Sequence, residues 1–444
     1  MGDDRADFDN VAWDRNDEAW EESQKWFRRV CTLRKIEAFV TQKLGKTATW
    51  VTPLRIGGFN NLYRLRIEGP NQAHFVAQNT RIPVAQVLFY GLSSPESEVG
   101  PFLIIKHVEN CGTMSHALAM PNEKDPTEAH MLNPGVSEGV VERFYGKAAV
   151  HLLQLFEPSF PCIGSLAQTD ENTFLVAGRP ITQNMNNMLQ LANIPRATLP
   201  PGDRIYRTAD EWYLALAEMH MAQLIFQHND LVTSTDDCQN KYVARQLFLR
   251  LAKQGRLSTF GFNQPSTLSA PSGSSSFRLW CDDLRPSNIL LNEAEEIVAV
   301  IDWEFSYVAP TQFSLDPPWW LLLNVPETWH TDIDDWTKVY NTRLKTWLRA
   351  MEKAEESMET KSKGFTLSSY MQESWETGRF FGSREGDIAK QDLWKTRVHL
   401  LSEKERNAMG PFVERKMKDS KERILVDWDD EQVKKRLAEV LRED

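Results

Sequence analysis

Asp283, Asn288 and Asp302 are the residues of this chain whose types and spacing could do chemistry. They lie in two segments, Asp283-Leu284-Arg285-Pro286-Ser287-Asn288-Ile289-Leu290-Leu291 and Ile297-Val298-Ala299-Val300-Ile301-Asp302-Trp303-Glu304. Between them sits a polar stretch, Asn292-Glu293-Ala294-Glu295-Glu296. Each flank is short, apolar and rich in β-branched residues, so the whole reads as an antiparallel hairpin. If Asn292 pairs with Ile297, Asn288 lies opposite Ile301 and beside Asp302. Residues facing each other across such a ladder are roughly 5 Å apart at Cα. Asn288 and Asp302 would then meet at one end of the hairpin, with Asp283 just upstream on a loop. Two carboxylates and an amide converging there suit a Mg²⁺–triphosphate, because Mg²⁺ takes hard oxygen ligands from one or two carboxylates plus the phosphates. Phosphoryl transfer of the kinase type uses such a set.

The same stretch resembles the catalytic loop of aminoglycoside phosphotransferases and related small-molecule kinases, and especially a large fungal branch of them. Their pattern runs His-Gly-Asp-Leu-His-Pro-Gly-Asn-Ile-Leu, then an apolar strand and Ile-Asp-Trp-Glu. Further segments resemble the family in the same order: Gly57-Gly58-Phe59-Asn60, Thr80-Arg81-Ile82-Pro83-Val84, Asp316-Pro317-Pro318-Trp319-Trp320 and Ser374-Trp375-Glu376-Thr377-Gly378-Arg379-Phe380. The resemblance implies a protein-kinase-like bilobal α+β fold, with a small β-rich lobe and a larger helical lobe. It implies ATP and Mg²⁺ as cofactors and a small-molecule hydroxyl as acceptor. By position, Asp283 resembles the catalytic base and Asn288 and Asp302 the metal ligands. The backbone of Gly57, Gly58 and Asn60 would cover the phosphates, and Lys106, His107 and Val108 would form the hinge that receives adenine. Cys281 and Asp282 stand where the family has His and Gly.

Of the neighbouring residues, Asp282 reads as a bystander and Arg285 as a loop arginine able to pair with Asp282 or meet phosphate. His151 and His220, on helices with apolar neighbours, read as packed histidines. Trp319-Trp320, following two prolines, reads as core at a helix start.

One part of the pattern is missing. A kinase-like small lobe needs a strand carrying a Lys to the α- and β-phosphates, and no Lys lies between Lys46 and Lys106. The strand after Gly57–Asn60 runs through Gly69-Pro70-Asn71 almost directly into Ala73–Asn79, which resembles only the end of a family helix. The small lobe is therefore expected to be truncated and nucleotide binding weakened. Arg64 and Arg66 are candidate substitutes for the missing cation. A pseudokinase-like binding module, keeping the fold without transfer, is the competing expectation. A protein kinase is disfavoured, since no Asp-Phe-Gly or Ala-Pro-Glu segment is present.

The bulk properties agree with a small-molecule enzyme. The 444 residues carry a net charge of −11, which disfavours a nucleic-acid partner. Cys31, Cys111, Cys162, Cys238 and Cys281 are scattered and odd in number, unlike a disulfide framework or a structural zinc site. No secretory signal or membrane-spanning run is visible, so a cytoplasmic protein is expected.

Hydrophobic periodicity predicts a helix over 16–44, strands over 51–56, 61–68, 84–90 and 102–108, and a helical stub at 73–79. Helical patterns follow from 141 onwards, at 208–227, 240–253, 331–356, 402–421 and 429–442. Residues 1–110 are read as an N-terminal helix plus the nucleotide-binding lobe. Residues 111–360 are read as the helical lobe with the catalytic loop, and 361–444 as a helical extension packing on it.

Overall fold

The computed structural model describes residues 8–51, 55–56, 61–67, 80–91, 101–121, 130–170, 173–262, 268, 277–324, 329, 333–358, 366–382 and 393–441. Helices and strands are mixed, and the chain divides into two compact units. One comprises Asp14–Thr113 and Ile289–Ile301; the other comprises Met1–Trp13, Met114–Asn288 and Asp302–Asp444.

The long N-terminal helix predicted by periodicity is two helices, α1 (Asn10–Phe27) and α2 (Val30–Leu44), of which α2 lies wholly in the smaller unit. The break has a local cause. The Thr32 hydroxyl donates to the Trp26 carbonyl at 2.8 Å, so a side chain competes with the helical ladder there, and Arg29 is extended. Ile36, Phe39 and Val40 of α2 bury against Ala48, with Tyr63 and Leu65 packed on them. Arg64 between these two is exposed, as strand alternation requires.

The described strands are β1 (Ala48–Trp50), β2 (Arg55–Ile56), β3 (Asn61–Leu62), β4 (Leu65–Ile67), β5 (Val87–Gly91), β6 (Phe102–Ile105) and β7 (Gly112–Thr113). Among the described residues β1 pairs with β4, β2 with β3 and β5 with β6, all antiparallel. Gly57–Asn60 and the stub at 73–79 lie outside the described residues.

The larger unit is mainly helical. Its elements include α3 (Met114–Leu118), α4 (Glu138–Phe156), α5 (Gln183–Gln190), α6 (Ala209–Phe226), α7 (Thr235–Lys253), α8 (Ile333–Ser357), α9 (Leu367–Thr377), α10 (Glu403–Asp419) and α11 (Asp430–Leu441). Its strands are β8 (Ser159–Phe160), β9 (Leu166–Asp170), β10 (Thr173–Val176), β11 (Phe277–Cys281) and β14 (Ser306–Pro310). Thr208 is the N-cap of α6. It accepts from the Glu211 amide at 3.2 Å, while the Glu211 carboxylate accepts from the Arg207 amide. Ser402 and Glu405 complete a reciprocal capping box on α10. Trp212, Met219, Tyr242, Tyr307 and Val308 belong to the main core. Among the described residues no helix is long and apolar enough to cross a membrane.

Two segments quoted for the resemblance meet in this unit as structure. Arg379 pairs with Asp316 at 3.3 Å and donates to the carbonyls of Leu315 and Tyr370. Its guanidinium also lies over the Phe262 ring, 4.2 Å from the centroid. Ser374 donates to Asp316 as well. Gly261, with φ +75°, brings its backbone so near that an added Cβ would sit 2.9 Å from the Arg379 Cβ. Trp320 is buried, with its ring edge-on to Trp347 at 5.5 Å. Pro317 and Trp320 are therefore core, while Pro318 and Trp319 are half-buried.

The hairpin predicted from the sequence is present as β12 (Ile289–Leu291) and β13 (Ile297–Val300). Its turn is organised by Asn292, whose Oδ1 accepts from the amides of Ala294 and Glu296 at 3.0 and 2.9 Å. At the turn Leu291, not Asn292, pairs with Ile297. An irregularity between Leu290 and Leu291 then shifts the ladder by one residue, giving Leu290–Ala299 and Ile289–Val300. That shift restores the register expected at the open end, where the chain continues into Asn288 and Asp302.

Candidate active site

Strand β11 positions the site. Phe277, Leu279 and Cys281 alternate into the core, and β11 pairs with β14 from Phe277–Pro310 to Cys281–Ser306. The loop of Asp282 and Asp283 therefore leaves the sheet at a fixed point, secured by the Asp282 amide donating to the Phe305 carbonyl. Pro286–Asn288 form a single 3₁₀ turn with Pro286 and Asn288 buried. The Asn288 amide nitrogen reaches back to Asp283, 2.8 Å from its carbonyl oxygen and 2.8 Å from Oδ2. With Nδ2 so engaged, Oδ1 is the Asn288 atom left for a cation.

Asp302 belongs to the same unit as Asp283 and Asn288. Its backbone has φ +61°, a left-handed conformation uncommon outside glycine and best tolerated by Asn and Asp. Its carbonyl accepts from the Cys281 thiol, with sulfur and oxygen 3.8 Å apart. The Asp302 carboxyl is held above its ordinary pKa, chiefly by loss of hydration, then by the negative charges of Glu304 and Asp283, while Arg285 acts in the opposite direction. A cation would relieve these effects.

Among the described residues, no group of three or more His, Cys, Asp and Glu side chains is placed to hold a metal ion. What the loop offers is one amide oxygen and one carboxylate in a negative environment. That donor set fits Mg²⁺ only if phosphate oxygens or water complete the shell.

Two neighbours behave differently from their sequence reading. Asp282 is no bystander. Its carboxylate accepts from Trp280 Nε1 at 2.8 Å, from the Tyr307 hydroxyl at 3.2 Å and from the Gln183 amide at 3.1 Å. It thus ties the first turn of α5 to the loop. Burial pushes its pKa up to about 6, against the pull of those three donors. The signal was in the sequence, since Trp280 needs a partner for its indole N–H and points to the same side as residue 282.

Arg285 pairs with Asp283 and not with Asp282: its Nε lies 2.7 Å from Asp283 Oδ1. Cys281 is buried, and burial pushes its thiol up to about 12, so it is not a nucleophile at neutral pH.

Lys106, His107 and Val108 belong to the smaller unit, just after β6. Lys106 and His107 are exposed, the Lys106 amide donates to the Gln86 carbonyl at 2.7 Å, and Val108 is half-buried. Gly57, Gly58 and Asn60 lie outside the described residues. Arg64 pairs with Glu109 at 2.7 Å on an exposed surface.

The helical histidines are packed. Burial lowers His151 to about 4, and the His220 ring meets Phe248 edge-on at 5.8 Å.

No family model matches this chain, and no curated protein matches it. Solved structures that align with it include a candidate aminoglycoside phosphotransferase from Ralstonia eutropha, at 12% identity and a TM-score of 0.38 over 88% of this chain and 98% of that one. Another is a thermostable mutant of aminoglycoside phosphotransferase APH(4)-Ia in ternary complex with AMP-PNP and hygromycin B, at 12% identity and 0.38 over 87% and 98%. A third is a type I macrolide 2'-phosphotransferase, at 11% identity and 0.35 over 84% and 98%. Likeness at this level does not by itself establish a shared fold.

Proposed function

We propose that this protein is an ATP-dependent phosphotransferase acting on a hydroxyl of a small molecule, with a kinase-like site at residues 283–302. The observation that carries the reading is the pair of Asn288 contacts that hold Asp283, made on the loop next to Asp302. In this reading Asn288 Oδ1 and the Asp302 carboxylate hold Mg²⁺. When bound, the metal neutralises phosphate charge and orients the transferred group.

The other steps belong to the chain. Asn288 fixes the Asp283 carboxylate through Nδ2. Asp283 accepts the proton of the acceptor hydroxyl as its oxygen attacks phosphorus. Catalysis of this kind rests mostly on positioning and charge neutralisation. Lys106–Val108 is the proposed adenine hinge, Gly57, Gly58 and Asn60 the proposed phosphate cover, and the cytoplasm the proposed location.

The second reading is a binding module without transfer. The sequence observation behind it is the absence of Lys between residues 46 and 106. Incubation with [γ-³²P]ATP, Mg²⁺ and a panel of hydroxylated molecules (an aminoglycoside, a macrolide, choline, simple sugars) separates the two. We expect slow, Mg²⁺-dependent labelling of an acceptor that Asp283→Asn abolishes. Mg²⁺-dependent nucleotide binding with no labelling across the panel would favour the binding module. No nucleotide binding at all would contradict both.

A further inference from the structure

We propose that His116 and His130 form a binding site for a divalent transition metal of the Zn²⁺ class, with Ser115 as the group that orients His130. The site shares no residue with the Asn288–Asp302 pair and does not depend on the phosphotransferase reading.

Both histidines belong to the larger unit and are held there by backbone pairing. His116 lies on α3. His130 opens a segment that runs back along the end of that helix. The Met120 amide donates to the Met131 carbonyl and the Asn133 amide to the Leu118 carbonyl, each at 2.9 Å. Leu132 is secured in turn by its amide, which donates to the Leu322 carbonyl at 3.0 Å. This framework brings the two imidazole rings to a centroid separation of 4.8 Å, at 67° to each other.

That separation suits one shared ion. An imidazole nitrogen binds Zn²⁺ at about 2.1 Å, which puts the ring centroid roughly 3.2 Å from the metal. Two centroids 4.8 Å apart then subtend roughly 100° at the ion, close to the tetrahedral angle that Zn²⁺ adopts.

Ser115 supplies the orientation. It is buried, and its hydroxyl oxygen lies 2.6 Å from His130 Nδ1. With Nδ1–H donating to that oxygen, Nε2 keeps the lone pair that a metal needs. Metal-bound histidines commonly make such a bond through the other ring nitrogen, which fixes both tautomer and ring direction. His116 is exposed, so its ring can turn a nitrogen to the same point without disturbing the core. Water completes the shell, since among the described residues no third His, Cys, Asp or Glu joins the pair. Imidazole selects Zn²⁺, Cu²⁺ or Ni²⁺ over Mg²⁺, which takes oxygen ligands. Helix α3 also packs on the Pro286–Asn288 turn, so an ion at this pair would brace the support of the candidate catalytic loop.

Calorimetric titration of the full chain with Zn²⁺ alone tests the site without nucleotide or turnover. A Cys31→Ser, Cys111→Ser background removes the two exposed thiols. One equivalent is expected to bind. His116→Ala changes an exposed side chain and should melt like the parent, yet weaken Zn²⁺ binding at least about tenfold through loss of a ligand. Ser115→Ala should weaken it roughly ten- to hundredfold, because His130 is no longer oriented. Millimolar Mg²⁺ should not displace the ion. No binding by the parent, or equal binding by His116→Ala, would overturn the site. Displacement of the ion by Mg²⁺ would also overturn it, by placing the ion on oxygen ligands elsewhere. Equal binding by Ser115→Ala would overturn the orienting role.

Discussion

Asn288 holds Asp283 at two points, its amide nitrogen lying 2.8 Å from both the backbone carbonyl and Oδ2 of that aspartate. One buried side chain therefore sets both the path of the loop and the direction of the carboxylate. Asn288→Ala should leave the two acceptors without their donor and cost about 1–3 kcal/mol of stability. Asn288→Asp should be worse at pH 8, where it sets one carboxylate against another, and should recover on acidification. Urea unfolding of both variants at pH 5.5 and pH 8 checks this; equal losses at the two pH values would contradict it.

The Asp282 carboxyl gives a pH signature of opposite sign to that of a surface salt bridge. Its folded pKa, about 6, lies above the ordinary 3.8. Its contribution to stability is therefore fully present below pH 4 and lost as pH rises through 6. Asp282→Asn keeps an oxygen for Trp280 and Tyr307 but turns an N–H toward the Gln183 amide, so it starts less stable. Between pH 4 and pH 7 the wild type should lose on the order of 2 kcal/mol relative to that variant. A stability difference that does not change with pH would show that Asp282 is ionised throughout.

The Asp316–Arg379 pair should be the most sensitive point of the larger unit. Breaking a buried pair from one side typically costs about 3–5 kcal/mol, and Arg379→Ala also removes the stacking on Phe262. Arg379→Lys keeps the charge without the fork, so it should recover only part of the loss. Gly261→Ala should destabilise as well, from its left-handed backbone and from the approach to Arg379. Denaturant midpoints would show it; an Arg379→Ala loss below about 1 kcal/mol would mean that the pair is not stabilising.

Much of this was readable from residue order. Short apolar, β-branched-rich flanks around a polar stretch identified the hairpin, and its register predicted that Asn288 would face Ile301. The irregularity at Leu290–Leu291 was not readable, because a bulge is set by backbone geometry and leaves the apolar pattern intact. The helix beginning near residue 402 followed from periodicity. The break between α1 and α2 did not, because it depends on one threonine hydroxyl capturing a carbonyl six residues away. Asp282 was misread for a related reason. Its partners come from three separate elements, and burial, which raises its pKa, is a property of the folded chain. Arg379 was legible as a recurring segment but not as half of a buried pair, since Asp316 lies 63 residues away.

Asp302 permits the most direct test of the proposed metal–nucleotide site. Asn tolerates the left-handed backbone at this position, and Asp302→Asn removes a charge the fold disfavours, so the variant should melt at or slightly above the wild-type temperature without ligand. We would measure melting of both proteins with millimolar ATP, with and without Mg²⁺. Wild type should rise by a few degrees with ATP and Mg²⁺ together, as linkage requires. ATP alone should do little, and Asp302→Asn should show no Mg²⁺-dependent rise. An equal rise in Asp302→Asn, or no rise in wild type, would contradict a metal–nucleotide site at Asn288 and Asp302.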